Sequence, residues 1–190
     1  MIPRYNRPII ENIWTLENKF KIWTKIEILI AEKLSDIGVI PKKAAKEIRK
    51  KAKFNVDEIN ELEKQTRHDV NAYIDNVSKY IGKQSKYFHH GVTSSDIIDT
   101  GFSIQLKQTG EIIIKELQNL VTQSSNNYYI SLNDTVIAFM ICFRERSSYH
   151  SDNYKFFSKK EKKFLYVDRI AIKDTHRRKG IAKNLYSIIE

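Results

Sequence analysis

The sequence predicts an α+β fold, in which an all-helical N-terminal segment precedes a smaller part built of β-strands and one helix. Through the first 120 residues, apolar side chains recur three, four or seven positions apart, which is the spacing of one helix face. Beyond residue 126, short runs rich in β-branched and aromatic residues flank a turn. The polar stretch TQSSNN separates the two patterns. We therefore expect domains at 1–121 and 128–190, joined by residues 122–127.

Two helices are expected before residue 53. Apolar residues from Ile13 to Leu34 share one face of a long amphipathic helix. Gly38 ends this helix, because glycine readily adopts the backbone conformation that closes a helix. Pro41 then suits the first turn of a short helix over KKAAKEIRKKA.

Two further helices complete the first segment. Asp57 begins a third helix, whose apolar positions continue until Gly82. After the break KQSKYFHHG, Thr93 or Ser94 is a candidate N-cap for a fourth helix that continues to about Leu120. The N-terminal segment is therefore predicted to contain helices only.

The remainder of the chain is predicted to form strands and one helix. The runs YYISL and TVIAFMICF flank Asn133 and Asp134, as in a β-hairpin with a short turn. The run FLYVDRIAI is a third strand candidate. Residues from Thr175 to Ala182 lead into a helix over IAKNLYSII. The one cysteine, Cys142, lies in an apolar run and is expected to be a buried structural thiol.

Charge and composition narrow the classes of ligand. The net charge is +10, of which residues 1–125 carry +4 (20 basic minus 16 acidic) and residues 126–190 carry +6 (13 minus 7). This excess suits anionic small ligands such as nucleotides or coenzyme A, and no nucleic-acid-binding motif accompanies it. No apolar run approaches the ~20 residues that span a bilayer, and no metal-ligand spacing occurs. We expect a cytoplasmic protein without membrane contacts or a metal.

Three separated stretches carry polar residues that a helical core does not require. Arg4 offers a forked donor for phosphate or carboxylate, and His68 can exchange protons near neutral pH. Thr93 and Ser94 place hydroxyls and backbone N–H groups at a helix N-terminus, which favours anions. Each feature has a structural alternative, because a Thr or Ser before a helix is usually only a cap and Asp69 beside His68 is ordinarily a surface pair.

Taken in order, these stretches resemble the adenylosuccinate lyase family of the fumarase/aspartase superfamily. The shared motifs are MIPRY, IW, ENKF, GVIP, TRHDV and H-x-G-x-TSSD followed by DT, over residues 1 to about 118. The resemblance implies the family's small N-terminal helical domain, a place in purine nucleotide biosynthesis and no cofactor for this part. It implies that His68 is catalytic and that substrate is contacted by Arg4, Tyr5, Arg67, Asp69, His89, Thr93 and Ser94.

The departures from that family concern its acid-base chemistry. The family eliminates fumarate from adenylosuccinate with a histidine in a downstream T-x-H stretch and a serine on a Gly/Ser-rich loop ending in K-x-N-P. Neither motif follows the matched segment in these 190 residues. General acid-base catalysis needs both groups within hydrogen-bond reach of the substrate. We therefore expect this polypeptide alone to have no lyase turnover.

A second motif follows the third predicted strand. Arg177-x-x-Gly180-x-Ala182 resembles the R-x-x-G-x-G/A signature of GNAT acetyltransferases. Small residues let a pyrophosphate approach backbone N–H groups at a helix start, and Arg178 and Lys179 add positive charge. The resemblance implies part of a GNAT-like mixed β-sheet with a helix, and acetyl-CoA as the cofactor. The strand would place three further residues, Ile170, Ala171 and Ile172, against the pantetheine arm.

Three functional classes remain open. The chain is an adenylosuccinate lyase relative with incomplete catalysis, a reduced GNAT N-acetyltransferase, or a non-catalytic module or fusion remnant that binds nucleotide or coenzyme A. In the second class, Glu145 and Asp168 are candidate bases, although solvated charges or salt bridges are the usual role of such residues. Unburied apolar faces are expected to pair with a partner or a second copy, through Trp14, Trp23 and the edge of FLYVDRIAI.

Overall fold

The computed structural model describes residues 7–189. These residues form two compact units, of which the first ends at Ile112 and the second begins at Ile113. The first unit is helical and the second combines a small sheet with helices, so the predicted α+β class is confirmed. Among the described helices, none combines the length and the apolar character needed to cross a membrane.

Within the described residues, six α-helices precede the first strand. The predicted helix from Ile13 is interrupted, because Trp14 and Thr15 leave helical geometry and the Thr15 hydroxyl accepts a hydrogen bond from the Asn18 N–H as an N-cap. A 3₁₀ segment over Gly82–Tyr87 replaces the expected irregular break. The helices are α1 (Pro8–Ile13), α2 (Leu16–Asp36), α3 (Lys42–Lys51), α4 (Val56–Thr66), α5 (Asp69–Ile81) and α6 (Ser94–Gln123).

The expectation of one helix from Asp57 to Gly82 is wrong. Arg67 adopts left-handed backbone geometry with φ of 52°, and His68 is extended with φ of −151°. The His68 side chain then accepts a hydrogen bond from the Asn71 N–H and caps α5. The chain therefore turns at the polar TRHD stretch, which separates α4 from α5.

The core of the first unit is built on aromatic rings. Phe20, Trp23 and Tyr73 lie with ring centroids 5.4 to 5.7 Å apart, and the Tyr73 hydroxyl donates to Thr24 Oγ1 at 3.0 Å. Trp23 is only 2% exposed, so the expected role of Trp23 in association is wrong. Trp14 is 40% exposed, and that part of the association hypothesis stays a prediction.

The second unit contains three strands, β1 (Asn126–Leu132), β2 (Thr135–Arg144) and β3 (Leu165–Ile172), in the order β1-β2-β3. Asn133 and Asp134 join β1 to β2 with φ of 48° and 58°, as a two-residue hairpin turn requires. Both strand pairings are antiparallel, where a mixed sheet was expected. The predicted junction at 122–127 holds the end of α6 and the start of β1, and the domain limits themselves stay a prediction.

Both faces of the sheet are covered within the second unit. Helix α7 (Asp152–Lys160), which the sequence analysis did not predict, supplies Tyr154 to a cluster with Phe143. Helix α8 (Ile181–Ser187) supplies Leu185 to a cluster with Met140 and Cys142. Cys142 is fully buried as expected, and burial raises the pKa of its thiol. The thiol is therefore protonated and unreactive in the folded unit.

Two glycines of α6 are expected to respond oppositely to alanine. A Cβ on Gly101 would lie 2.8 Å from the Trp23 ring, so Gly101→Ala should destabilise the protein by about 1–3 kcal/mol through overpacking. A Cβ on Gly110 meets no atom within 4 Å, so Gly110→Ala should stabilise it by about 0.8–1 kcal/mol through helix propensity. Urea unfolding followed by circular dichroism measures both, and equal effects would contradict the close contact.

Candidate functional sites

The residues predicted to contact ligands fall into two groups, one in each unit. Arg4 and Tyr5 lie outside the described residues. The first unit contains the predicted positions from Arg67 to Ser94, and the second contains those from Ile170 to Ala182. Their roles in binding or catalysis stay predictions.

The TRHD turn presents an exposed cation and an imidazole. Arg67 and His68 are both exposed, at the end of α4 and the start of α5. The Asp69 carboxylate pairs with the Lys19 ammonium at 3.0 Å, and Lys19 also lies 4.4 Å from the centroid of the Trp23 ring. Asp69 therefore fixes the start of α5 against α2, while Arg67 and His68 remain accessible.

His89 is held by a buried carboxylate that the sequence analysis missed. Its Nδ1 lies 2.6 Å from Oε1 of Glu27, a residue of α2 that is 1% exposed. His89 also adopts left-handed backbone geometry, with φ of 59°, which is uncommon for a residue with a side chain. The signal in the sequence was an acidic residue four positions after Trp23, on the apolar face of the helix.

Burial dominates the electrostatics of Glu27. Removal from water raises the pKa of its carboxyl, and the hydrogen bond and charge of His89 act in the opposite direction. Its second oxygen, Oε2, is buried and has no hydrogen-bond partner among the described residues. A buried carboxyl with one unsatisfied oxygen costs stability. Packing alone therefore does not explain the burial of Glu27 beside His89.

Thr93 forms the predicted N-cap of α6. Its N–H and hydroxyl donate to Oδ2 of Asp96 at 2.7 and 2.9 Å, and the Asp96 N–H donates back to the Thr93 hydroxyl at 3.4 Å. These hydrogen bonds from Thr93 lower the pKa of Asp96. The Thr93 hydroxyl therefore has a structural role, and Ser94 begins the helix beside it.

The two histidines lie near different parts of α2, and of the two only His89 contacts the helix through its own side chain. Asp69, next to His68, pairs with Lys19, whereas His89 pairs with Glu27. Lys19 and Glu27 are eight residues apart, or about 12 Å along the helix axis. The first unit thus holds two candidate ligand-binding positions along one helix.

In the second unit, a pocket of about 390 Å³ coincides with the predicted cofactor residues. Six of the eight form its lining: Ile170, Ala171, Ile172, Arg177, Arg178 and Ala182. The lining combines the end of β3, the loop after it and the first turn of α8. It therefore joins the apolar end of β3 to two exposed guanidinium groups.

The loop geometry fixes Arg177 and leaves space beside Gly180. Arg177 donates from Nε to the Ile172 carbonyl at 3.4 Å, and its Nη2 pairs with Asp174 at 2.8 Å. Gly180 has φ of 78°, and a Cβ there would meet no atom within 4 Å. Lys179 and Gly180 lie in the same loop but do not line the pocket. The backbone before α8 is thus accessible to a ligand.

The two candidate bases of the second unit are engaged in structural contacts. The Phe164 N–H donates to the Glu145 carboxylate at 3.4 Å. The Tyr149 hydroxyl donates to the Asp168 carboxylate at 2.7 Å, and the Tyr149 ring stacks on Phe143 at 3.9 Å. Burial and the neighbouring carboxylate raise the pKa of Tyr149 to about 12. Among the described residues, no group of His, Cys, Asp and Glu could hold a metal ion.

Comparison with known families accounts for both halves of the chain. A family model described as Lyase matches residues 4–127, and a model of the acetyltransferase (GNAT) family matches residues 96–190. The chain therefore belongs to the lyase family over its N-terminal part and to the GNAT family over its C-terminal part. The two matches overlap over residues 96–127, which contain most of α6.

The N-terminal part is similar to named lyases. It is 46% identical over 121 residues to the adenylosuccinate lyase of Bacillus subtilis (strain 168) and 45% identical over 122 residues to that of Streptococcus mutans serotype c. Each match covers 64% of this chain and 28% of the relative. The chain therefore spans about 28% of the length of these relatives.

Solved structures agree with the fold of this part. Fumarate lyase from Mesorhizobium sp. BNC1 aligns with a TM-score of 0.53 and 16% identity, covering 70% of this chain and 34% of that one. The β-carboxy-cis,cis-muconate cycloisomerase of Acinetobacter calcoaceticus sp. ADP1 aligns with a TM-score of 0.54 and 18% identity, covering 71% and 35%. At this identity the likeness concerns the fold.

Replacing Glu27 by Gln is expected to flatten the pH dependence of stability. Burial raises the pKa of Glu27 above its ordinary 4.5, so the native state holds this proton more tightly than the unfolded chain does. The resulting stabilisation is complete below pH 4.5 and is lost as pH rises through the raised pKa. Urea unfolding between about pH 4.5 and about pH 7.5 should show a smaller decline in the variant than in the parent protein.

Glu32→Gln provides a control with the opposite sign. The hydrogen bond from Arg49 lowers the pKa of Glu32, so its contribution is present above the ordinary pKa and disappears as pH falls. Loss of this carboxylate should therefore leave the decline above pH 4.5 intact. An identical decline in Glu27→Gln and the parent would contradict the raised pKa.

Proposed function

We propose that this chain is an adenylosuccinate lyase-related protein of purine nucleotide biosynthesis, with the family's N-terminal ligand contacts and incomplete catalysis. The observation that carries the proposal is the hydrogen bond between His89 Nδ1 and Oε1 of the buried Glu27, at 2.6 Å. The backbone of His89 is also left-handed. Such geometry is costly and is typical of functional sites. The identity of 46% to the Bacillus subtilis enzyme supports the same substrate class.

The groups of the first unit suit recognition of an anionic substrate. Arg67 is an exposed guanidinium, and His68 is an exposed imidazole at a helix start. Hydrogen bonding to Glu27 at Nδ1 leaves Nε2 of His89 as the ring atom that can face a ligand. Elimination also needs a general acid and a general base, and these 190 residues carry neither downstream motif. The proposal is therefore binding of adenylosuccinate or AMP, without turnover by this polypeptide alone.

Adjacent histidines provide a matched test of binding. His89→Ala should weaken adenylosuccinate binding about tenfold, since a contact to a charged substrate is worth roughly this factor. His90→Ala, at an exposed neighbouring position, should change it less than about twofold. Isothermal titration calorimetry measures the affinities. Equal effects of the two changes would contradict the role of His89, and release of fumarate by the purified parent protein would contradict the absence of turnover.

A second candidate function is binding of acetyl-CoA by the second unit, as in a reduced GNAT N-acetyltransferase. The observation that favours it is the pocket of about 390 Å³ at the R-x-x-G-x-A loop. Arg177 and Arg178 would face the phosphates, and the apolar end of β3 would face the pantetheine arm. Because Glu145 and Asp168 already have hydrogen-bond partners, binding is better supported than acetyl transfer.

Coenzyme A should raise the melting temperature of the protein. At about 100 times its dissociation constant, a ligand of the native state adds about 2.7 kcal/mol of stability. Gly180→Glu should abolish this shift, because it adds a negative charge to the loop that carries Arg177 and Arg178. Gly38→Glu is the matched control, since Gly38 also has positive φ and open space but lies in the other unit. A shift in melting temperature that persists in Gly180→Glu would contradict the proposed coenzyme A site.

A further inference from the structure

The first unit contains a pocket that none of the functions above uses. It has a volume of about 470 Å³ and lies between α2 and the end of α3 with the segment that follows it. We call it the α2–α3 pocket. Apolar side chains, among them Ile28, Leu29 and Phe54, form part of its lining, and Leu29 is 46% exposed. The size is within the range of pockets that hold small organic ligands.

The α2–α3 pocket lies on a different face of α2 from the groups that hold Asp69 and His89. Lys19, Trp23 and Glu27 follow one another at intervals of four residues and face α5 and the His89 loop. Lys21 and Lys25 line the pocket and are offset from that row by two residues, or about 200° around the helix. Binding in the pocket is thus separable from binding at His68 or His89.

Four cations surround the α2–α3 pocket, and two of them are oriented by neighbours. Arg49 is held by the Glu32 carboxylate, and the Lys53 ammonium lies 4.7 Å from the centroid of the Tyr80 ring. The other two, Lys21 and Lys25, are one helical turn apart, and neither forms an ion pair with a described residue. Like charges at this spacing repel each other. An anion between them would remove that repulsion.

The positive charge of this pocket is less balanced by carboxylates than that of its neighbour, since Glu17 is the one acidic residue in its lining and the neighbour has Glu32 and Asp36. A neighbouring pocket of about 350 Å³ shares Leu29 and Arg49 with it, and there Lys33 pairs with Asp36. The ion pair between Arg49 and Glu32 bridges α3 and α2 between the two pockets. The bridge favours a small ligand over an extended polyanion.

We propose that the α2–α3 pocket binds a small aromatic anion, namely a flat apolar group that carries a phosphate or carboxylates. The apolar group would lie against Leu29 and Phe54, and the anionic group would face Lys21 and Lys25. Glu17, the one carboxylate in the lining, lies one turn before Lys21 and would repel an anionic group at that end of the pocket, so we expect the anionic group on the Lys25 side. This is a site separate from both proposed functions.

The probe for this site is 1-naphthyl phosphate, titrated into the full 190-residue chain and followed by amide chemical shifts in NMR spectra. Shifts should change at α2 and at the segment after α3. The neutral 1-naphthol and inorganic phosphate should each bind at least about tenfold more weakly, because each makes only one kind of contact. Lys21→Ala with Lys25→Ala should weaken binding of the probe about tenfold.

The matched control is Lys43→Ala with Lys50→Ala, which removes the same charge from α3 outside the lining of either pocket. This pair should change the affinity less than about twofold. Leu29→Asn, at a half-exposed position, should weaken naphthyl phosphate but leave inorganic phosphate unchanged. Equal losses in the two lysine pairs, or shifts confined to the His68 or Arg177 regions, would overturn the proposal. Binding of an oligonucleotide in preference to the probe would also overturn it.

Discussion

The packing of Trp23 is the interaction on which the first unit depends. Its ring meets Phe20 and Tyr73 and lies so close to α6 that only glycine fits at residue 101. This contact fixes α2 in the middle of the unit, and α2 in turn presents Glu27 to His89. On its other face the same helix lines the α2–α3 pocket. The packing of the Trp23 ring therefore positions both the Glu27–His89 contact and the α2–α3 pocket.

Local sequence signals predicted the parts of the structure that depend on local energies. The Asn133-Asp134 turn was predictable because few residues tolerate positive φ, and the Thr93 cap because its hydroxyl bonds within one turn. The proximity of the residues from Ile170 to Ala182 was predictable for a similar reason, since they lie close together in the chain and six of them line one pocket, while their contact with a cofactor stays a prediction.

The features that were not predicted depend on contacts between residues far apart in the chain, or on helix ends without a strong sequence signal. The break between α4 and α5 was missed because apolar spacing continues across it, although Arg67 and His68 leave helical geometry. Glu27 escaped attention because its partner, His89, is 62 residues away in the chain. Helix α7 was not predicted, since its burial depends mainly on Tyr154 packing against the sheet.

The buried Cys142 also separates the two units experimentally. It is the one thiol in the sequence, it lies on β2, and it is fully shielded beneath α8. A thiol reagent can modify it only when the sheet opens, so the labelling rate reports the opening free energy of the second unit alone. Tryptophan fluorescence reports the first unit, because both tryptophans, Trp14 and Trp23, lie there. The chain thus carries a separate spectroscopic or chemical reporter for each of its two ancestries.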